Sequence, residues 1–503
     1  MITKQKVLWA VFSLLVFSCQ PNQQQESKPN ILFLFTDDQT YDAIQHLGNS
    51  QIKTPHLDKL LQRSTTFSHA YNMGSWSGAV CTASRSMIAS GMTVWNANKH
   101  RVKWQQKDSA SIAESWPKLL EAGGYDTYAS GKWHIDIPGQ DLFQHTVHMR
   151  PGMPRDAWRS AKVGEKLNAE KSLDAKTLLR LMPNGYNRPL SMDDNSWSPT
   201  DTSKGGYWEG GKHWSEVLKD DAIDFIDAAK QKTNPFFMYV AFNAPHDPRQ
   251  APQKYQDMYP LEDIQVPESY MPDYPFHDGV GLGPKLRDEA LGPFPRTELA
   301  VKTHIKEYYA LISHLDAQIG GIMDKLEKEG LLDNTYIFMT ADHGLAVGKH
   351  GLLGKQNMYE HSIRVPLLVS GPNIPAGKII DTDVYLQDLM PTSLEVGGVA
   401  KPDFVEFNSL LSHINNPESA PKLDGVYGAY LDKQRMIRKN GFKLIMYPKI
   451  NETLLFDINN DPLELKDLSK MDEYSETKKS LFEAFENLQA LYNDELDLGH
   501  MSI

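Results

Sequence analysis

At 503 residues the chain is too long for one small hydrophobic core, so two domains are expected. With 40% hydrophobic and 23% charged residues and no low-complexity tract, the composition excludes a mainly disordered protein. A net charge of -12, without any run of Lys or Arg, argues against nucleic acid as a partner, which needs a basic footprint.

Lys4 and Lys6 precede an apolar stretch over 7–17 that is too short to span a bilayer and suits the h-region of a signal peptide. Residues 1–18 are therefore expected to be a signal peptide and 19–28 a polar tether. Leu15-Val16-Phe17-Ser18-Cys19 resembles the bacterial lipobox. That likeness implies a lipid anchor at Cys19 and a place in the periplasm or at the outer membrane or cell surface, with ordinary signal cleavage as the alternative. Only Cys19 and Cys81 are present, so a lipidated Cys19 leaves Cys81 without a disulfide partner in an exported chain. Such a thiol is either a liability or retained for its chemistry.

The apolar run 30–35 reads as a strand covered on both faces, and it stops at Thr36-Asp37-Asp38. A helix is predicted over 111–122, ended by Gly123 and Gly124. Residues 143–213 look like an insertion, and a second helix is predicted over 214–230. The strand 235–242 runs into Asn243-Ala244-Pro245-His246, and the Pro-rich stretch 251–297 looks like a second insertion. A long amphipathic helix over 304–329 comes next, then a strand over 336–339 that leads into Thr340-Ala341-Asp342-His343-Gly344, and another strand over 365–370. From about Gly425 the pattern turns to short hairpin-like strands and a final helix over 477–492. The fold class is α/β: a large N-terminal domain (29–424) with a mostly parallel central sheet flanked by helices, plus a small C-terminal α+β domain (425–503) with an antiparallel sheet. In such sheets a site forms beyond the carboxyl ends of strands, where this chain places its acids and histidines.

Asp37 and Asp38 after one strand, with Asp342 and His343 after another, offer an oxygen-rich set that would hold a hard divalent cation. A single Asp would more often be a turn residue; two pairs after two strands are not read that way. Cys81 stands before a helical stretch, where the helix dipole and free amides favour an anion, and Arg85 returns one turn later. Alone, a Cys at a helix start is usually inert packing. Lys132 and His134, alternating and so on one side of an extended segment, join His246 and Lys355 as candidate cations and proton carriers. Singly each would be a solvated Lys or a satisfied His. Together they form the inventory for hydrolysing a sulfate or phosphate ester.

Cys81-Thr82-Ala83-Ser84-Arg85 resembles the maturation motif of sulfatases, Cys-x-Pro/Ala-Ser-Arg, and residues 124–134 resemble the second sulfatase signature. Thr340 to Gly344, His350 to Lys355 and Arg364-Val365-Pro366 complete the family order, so the likeness runs from Asn30 to about Lys470. The chain resembles type I, formylglycine-dependent sulfatases of the alkaline phosphatase superfamily, and bacterial polysaccharide sulfatases among them. The resemblance implies that Cys81 is oxidised to formylglycine by a maturation enzyme, and that Asp37, Asp38, Asp342 and His343, with residue 81, bind one divalent metal, calcium by its oxygen ligands. It implies attack on sulfur by one hydroxyl of the hydrated aldehyde beside Arg85. Lys132 and Lys355 then offset the sulfate charge, His246 is the acid (shared with Lys355) and His134 the base. Two positions depart from the common pattern: Ala83 replaces Pro, and His343 stands where many relatives have Asn.

The expected substrate is a sulfated carbohydrate, an algal or host polysaccharide or its fragments, because export by a bacterium suits scavenging of polymers too large to import. His100, Arg101, Arg249, Trp208 and His213, with Trp214, are the residues expected to line sugar subsites. The alternatives are a phosphomonoester or phosphonate-ester hydrolase on the same fold, and a lipoprotein that binds sulfated glycans without turnover.

Overall fold

Strand β1 (Asn30–Thr36) is buried along its whole length, and its alternate side chains enter two different cores. Ile31, Phe33 and Phe35 face one, Leu32 and Leu34 the other, as the two-residue period of a strand dictates. The computed structural model describes residues 28–153 and 157–503; Cys19, the signal peptide and the tether up to residue 27 lie outside the described residues.

Seven further strands join β1 in one sheet: β2 (Thr65–Tyr71), β3 (Asp126–Lys132), β4 (His145–Arg150), β5 (Phe236–Ala241), β6 (Thr335–Ala341), β7 (Arg364–Ser370) and β8 (Lys378–Tyr385). Their spatial order is β8-β2-β7-β6-β1-β5-β3-β4, and only β7 runs against the rest. On one face the helices Trp214–Ala229 and Glu298–Lys328 pack Leu218, Phe225, Leu311 and Ile319 against Leu32, Leu34 and Met238. On the other, Trp116, Leu120 and Ile88 cover Ile31, Phe33, Phe237 and Tyr239. Each fully buried Phe of this layer contributes roughly 1.5–3 kcal/mol relative to exposure.

The register decides where the site falls. Phe35 pairs with Ala241 on one side and Thr340 on the other, so three central strands end level. Their exits are tied by backbone bonds from Asp37 N to the Ala244 carbonyl (3.1 Å) and from Asp342 N to the Thr36 carbonyl (3.1 Å). The loops carrying Asp37, His246 and Asp342 therefore start from one edge.

The smaller sheet holds β9 (Val426–Tyr430), β10 (Gln434–Lys439), β11 (Phe442–Tyr447) and β12 (Glu452–Asp457), antiparallel throughout. The helix Ser475–Leu491 covers it with Leu481, Phe485 and Leu488. Its fifth strand comes from the N-terminal part of the chain: Gly74–Ser75 pairs in parallel with β9. Among the described residues no helix is long and apolar enough to cross a membrane.

Several expectations need correction. The helix over 111–122 is two helices, Ser109–Ala113 and Trp116–Ala122; Pro117, with no N–H to donate, opens the second at its first turn. The long helix begins at Glu298, because Thr297 accepts from Ala300 N (3.2 Å) and caps it there. The insertion 143–213 starts later than expected, since 145–150 is the edge strand β4. Lys132 closes β3, whereas His134 has a φ of 55°, so the extended segment ends between them.

Gly74 joins the two sheets at a position no other residue fits. Its φ is 89°, and a Cβ there would lie 1.9 Å from the Ala429 carbonyl oxygen. Gly74→Ala is expected to destabilise the protein by roughly 2–4 kcal/mol through backbone strain and lost pairing with β9. Thermal unfolding checks this, and an unchanged Tm would show that the contact yields freely.

Candidate active site

β1 delivers Asp37 and Asp38, both fully buried. Asp38 sits in the left-handed region (φ 67°), with its N–H donating to Asp342 Oδ1 (3.2 Å) and its carbonyl accepting from the Tyr308 hydroxyl (2.6 Å). β6 delivers Asp342 and His343; the Asp342 carbonyl accepts from Asn72 Nδ2 and from the Ser84 hydroxyl, each at 2.7 Å. Cys81 lies in the first turn of the helix Val80–Ser90, 2% exposed, and Arg85 comes one turn later. Arg85 Nε donates to Asp342 Oδ2 (2.9 Å), Nη1 donates to the Lys132 carbonyl (2.8 Å), and the guanidinium lies 4.5 Å from the Phe35 ring centre.

These elements converge on Cys81. Its Sγ is 3.3 Å from Asp37 Oδ1, from His343 Nε2 and from Lys355 Nζ, and 3.9 Å from Asp38 Oδ1. Lys132 Nζ donates to Asp37 Oδ2, and Lys355 Nζ donates to both Asp38 oxygens at 2.8 and 2.9 Å. His246 Nε2 stands 3.8 Å from Asp38 Oδ2, while its Nδ1 is bonded to the Asp247 carbonyl at 2.6 Å. His134 is held against the nucleophile helix by the Thr82 hydroxyl, which donates to its carbonyl (3.0 Å). Gly152 lies flat on the His134 ring, where a Cβ would come within 2.4 Å.

The charged groups of this cluster shift one another strongly. Burial and then Asp342 push the Asp37 carboxyl well above its usual range, and Lys132 only partly opposes them. Asp342 is held well below its usual value: burial works against its charge, but Arg85 and then His343 outweigh it. Burial and Asp342 push the Cys81 thiol up, and Lys132, Lys355 and His343 overcome them, so it lies well below a normal thiol. Burial, then Lys355, draws His246 down to about 4, and burial lowers His134. Lys355 is held well above its ordinary value by Asp38, Cys81 and Asp288 against burial.

A divalent cation fits this set. Ligand atoms of Asp37, Asp38, Cys81, Asp342 and His343 all lie within 4.8 Å of one another, and every one of these residues is buried. Even beside Lys132, the Asp37 carboxyl holds its charge poorly, and further positive charge would relieve it. The ligands are mostly hard oxygens; the sulfur of Cys81 is the one that suits such an ion poorly.

The structure gathers Asp37, Asp38, Cys81, Arg85, Lys132, His246, Asp342, His343 and Lys355 into this centre, with His134 beside it. The residues expected to line sugar subsites are placed otherwise. His100 is 3% exposed and packs edge-on against Trp104 (4.9 Å), with Nδ1 towards Glu114, so its ring serves the helix layer. Arg249 is 1% exposed: its Nη1 donates to His304 Nδ1 (2.8 Å), while its Nε and Nη2 are buried without a hydrogen-bond partner among the described residues. His213 is fully buried, caps the helix Trp214–Ala229 by accepting from Ser215 N (3.1 Å), and donates to the Gln250 carbonyl (3.0 Å). Trp208 rests edge-on against His213, and Trp214 is covered by the Arg150 guanidinium at 4.1 Å. Arg101, on the helix Val94–Gln105, is paired with Asp136 (2.8 Å), two residues beyond His134 in sequence.

Residues without any sequence signal also reach the centre. Arg287, Asp288 and Glu289 come from the Pro-rich insertion and bind the loops of His246 and Lys355. Nothing in a short charged run within a long loop sets it apart from a solvated surface.

A parallel-sheet edge carrying a nucleophile on a helix N-terminus, a buried acid cluster and convergent cations defines a hydrolase for esters of a tetrahedral oxyanion. The family model described as Sulfatase matches residues 29–399, and that described as N-sulphoglucosamine sulphohydrolase, C-terminal, matches 348–491. An arylsulfatase of Clostridium perfringens is 29% identical over 93% of this chain and 96% of its own length. An N-acetylglucosamine-6-O-sulfatase of Bacteroides thetaiotaomicron is 26% identical, over 97% and 91%. A solved structure in complex with its substrate D-glucosamine-2-N,6-O-disulfate shares the fold with a TM-score of 0.70 at 22% identity, covering 93% of this chain and 99% of that one. The chain belongs to the type I sulfatase family and is a sulfuric ester hydrolase.

Arg85 has both its partners and its guanidinium fully buried, so its removal takes away the cation that offsets the Asp342 carboxylate at Oδ2 and the donor to the Lys132 carbonyl. Arg85→Ala is expected to cost roughly 3–5 kcal/mol of stability, as breaking a buried ion pair does, and to abolish sulfate release. Denaturant titration beside an activity assay checks both, and a stable, active variant would show that Arg85 has neither role.

Proposed function

We propose that this chain hydrolyses sulfate esters of a sulfated carbohydrate outside the cytoplasm, with a formylglycine made from Cys81. The observation that carries the reading is the position of Cys81 Sγ, 3.3 Å from each of Asp37, His343 and Lys355. A sulfur there is a poor ligand among hard oxygens, whereas a hydrated aldehyde would place an oxygen in the same spot.

Asp37, Asp38, Asp342 and His343 would hold the divalent cation, calcium by its ligand set, which when bound offsets charge on the sulfate oxygens, while the aldehyde hydrate at position 81 offers the attacking hydroxyl. The chain's own residues do the rest. Arg85, anchored on Asp342 and the Lys132 carbonyl, keeps residue 81 and Asp342 in fixed relation. Lys132 and Lys355 bring ammonium groups to the sulfate. His246 Nε2 and Lys355 Nζ both stand by Asp38, so the leaving alcohol oxygen meets this pair. Lys355 is its charged member in the neutral range, and His246, drawn down to about 4 by burial and then by Lys355, orients the oxygen as a neutral imidazole. His134, also neutral because burial lowers it, takes the proton from the second hydroxyl as sulfate departs.

Two features support a sugar as the alcohol. The relative from Bacteroides thetaiotaomicron acts on N-acetylglucosamine 6-O-sulfate by its name. Beside His246, the two insertions are joined by bonds from Asn187 N to the Ala290 carbonyl (2.8 Å) and Arg188 N to the Leu291 carbonyl (3.1 Å). Where they meet, Asn184, Tyr186 and Trp197 border a small hollow next to Asp247, and aromatic and polar groups of this kind suit a surface that faces a sugar. The short h-region and the sequence ending in Cys19 support export with a lipid anchor; Cys19→Ser is expected to move the protein from the membrane fraction to the soluble one.

The test is sulfate release from defined sulfated mono- and oligosaccharides, with the matched phosphorylated sugars in parallel. Release from at least one sulfated sugar, and at least about 100-fold less phosphate release from its counterpart, is expected because the site must tell one ester charge from another. Faster turnover of the phosphate esters would identify a phosphatase instead. Mass spectrometry of the peptide containing Thr82 is expected to show an aldehyde at position 81 in active protein. An active preparation carrying only the thiol would end the formylglycine mechanism.

A further inference from the structure

Three consecutive residues of the Pro-rich insertion reach across to the loops of both His246 and Lys355. Arg287 Nη2 donates to Asp247 Oδ2, its Nη1 donates to Asp247 Oδ1 (3.2 Å), and the same Nη1 donates to Asp288 Oδ1 (2.8 Å). Asp247 adjoins His246 directly, accepts from its Nδ1 through the carbonyl (2.6 Å), and has a carboxylate oxygen 3.4 Å from that nitrogen. On the other side, Asp288 Oδ2 accepts from Gln356 Nε2 (2.7 Å) and lies 3.9 Å from Lys355 Nζ. Gln356 Oε1 in turn accepts from Lys355 N (3.1 Å). Glu289 completes the contact: its carboxylate accepts from Leu353 N (2.9 Å) and Gly354 N (2.8 Å), and Arg296 Nη2 holds it at 2.5 Å.

We propose that residues 287–289 act as a positioning clamp for the groups at the leaving oxygen, with Arg287 and Asp288 fixing the orienting His246 and the proton donor Lys355 at one distance from it. The inference rests on the sulfatase reading and adds residues to it. The geometry favours it over a merely structural loop anchor for two reasons. First, each of the three residues binds a different strut of the same machinery: the His246 loop, the Lys355–Gln356 pair, and the backbone just before Lys355. Second, the carboxylates involved are buried, at 3% exposure for Asp247, 6% for Asp288 and none for Glu289, while the Arg287 side chain keeps 15%. Buried carboxylates are set beside catalytic cations only at a desolvation cost, which pure loop anchoring does not require. Burial opposes the charge of Asp247 and Asp288, and Arg287 and Lys355 hold both below the usual carboxylate range.

The clamp would matter where the departing oxygen needs a proton. As the attacking hydroxyl forms its bond to sulfur, it passes its proton to the Asp37 carboxylate, 3.3 Å from the side-chain position of residue 81. The sulfur–oxygen bond to the alcohol breaks, and its electron pair stays on the alcohol oxygen. A sugar alkoxide must then take a proton from Lys355, beside the neutral His246, whereas a nitrophenolate leaves without one. A displaced donor therefore slows sugar sulfates far more than nitrophenyl sulfate.

The variants Arg287→Gln and Asp288→Asn test this in the full-length, matured enzyme; Glu289 is left intact because its loss would strand the buried Arg296 and threaten folding. Expected is a fall in kcat of about 100-fold on the sulfated sugar the wild type cleaves best, the scale of lost general-acid help. The KM should change little, and turnover of 4-nitrophenyl sulfate should stay within about threefold. Arg287→Lys should recover part of the loss. Equal losses on both esters, or a change in KM alone, would overturn the clamp and leave a structural or binding role. Crystal structures of the two variants give a second reading that needs no turnover: shifted His246 and Lys355 side chains are expected, and unmoved ones would overturn it. Should the wild type release no sulfate from any sugar, the sulfated-carbohydrate reading fails by itself, and the variant structures still judge the clamp.

Discussion

Three buried carboxylates at one sheet edge are the constraint on which the rest of this molecule depends. Asp37, Asp38 and Asp342 are fully buried within reach of one another, and the structure tolerates them only because cations have been brought to the same place. Lys132 comes from the end of β3, Arg85 from the nucleophile helix, and Lys355 from the loop after β6. Each is itself buried and could not be there without its acid. Removing either sign would leave the other uncompensated, so catalytic geometry and folding stability are coupled at this point. The level ends of β1, β5 and β6 make the convergence possible, and the aromatic layer of Phe33, Phe35 and Tyr239 keeps water from the underside.

The same electrostatics organise the reactive residue. A thiol beside two ammonium groups and an imidazole is drawn far towards its anion. That environment suits any group that must carry negative charge during reaction, and it suits an oxygen nucleophile better than a sulfur one in a hard-ligand site. Burial lowers both His134 and His246, whereas the acids that Lys355 faces raise it against the same burial. A neutral acceptor and a charged donor thus coexist within one small volume because their neighbours differ.

Much of this was legible in the sequence, for identifiable reasons. The apolar run before Asp37 and the one before Asp342 reported buried parallel strands, and a buried strand places the residues just after it at the sheet edge. The spacing of Cys81 and Arg85 is one helical turn, so their common side could be read directly. Partners set by long-range packing were beyond its reach. His213 looked like a ligand because polar residues near a site invite that reading; in the fold it is spent on buried hydrogen bonds, as a helix cap and to the Gln250 carbonyl, whereas Arg249 is buried with a bond to His304. His100 was expected at a sugar subsite and is packed on Trp104. Arg287, Asp288 and Glu289 carried no signal, since only the folding of an irregular loop brings them near Lys355. Gly74 is a comparable case: a two-residue strand carries no periodicity, so its pairing with the C-terminal sheet could not be anticipated.

The central claim is that the acid cluster is completed by a divalent cation held only by the folded chain, and thermal unfolding tests it most directly. Protein stripped with a chelator is compared with the same protein at increasing calcium. A ligand bound only by the folded state at a hundred times its Kd adds about 2.7 kcal/mol. The Tm of the wild type is therefore predicted to rise with calcium as sulfatase activity returns, with no such rise in Asp342→Ala. A stripped wild-type enzyme with an unchanged Tm and full turnover would contradict the claim.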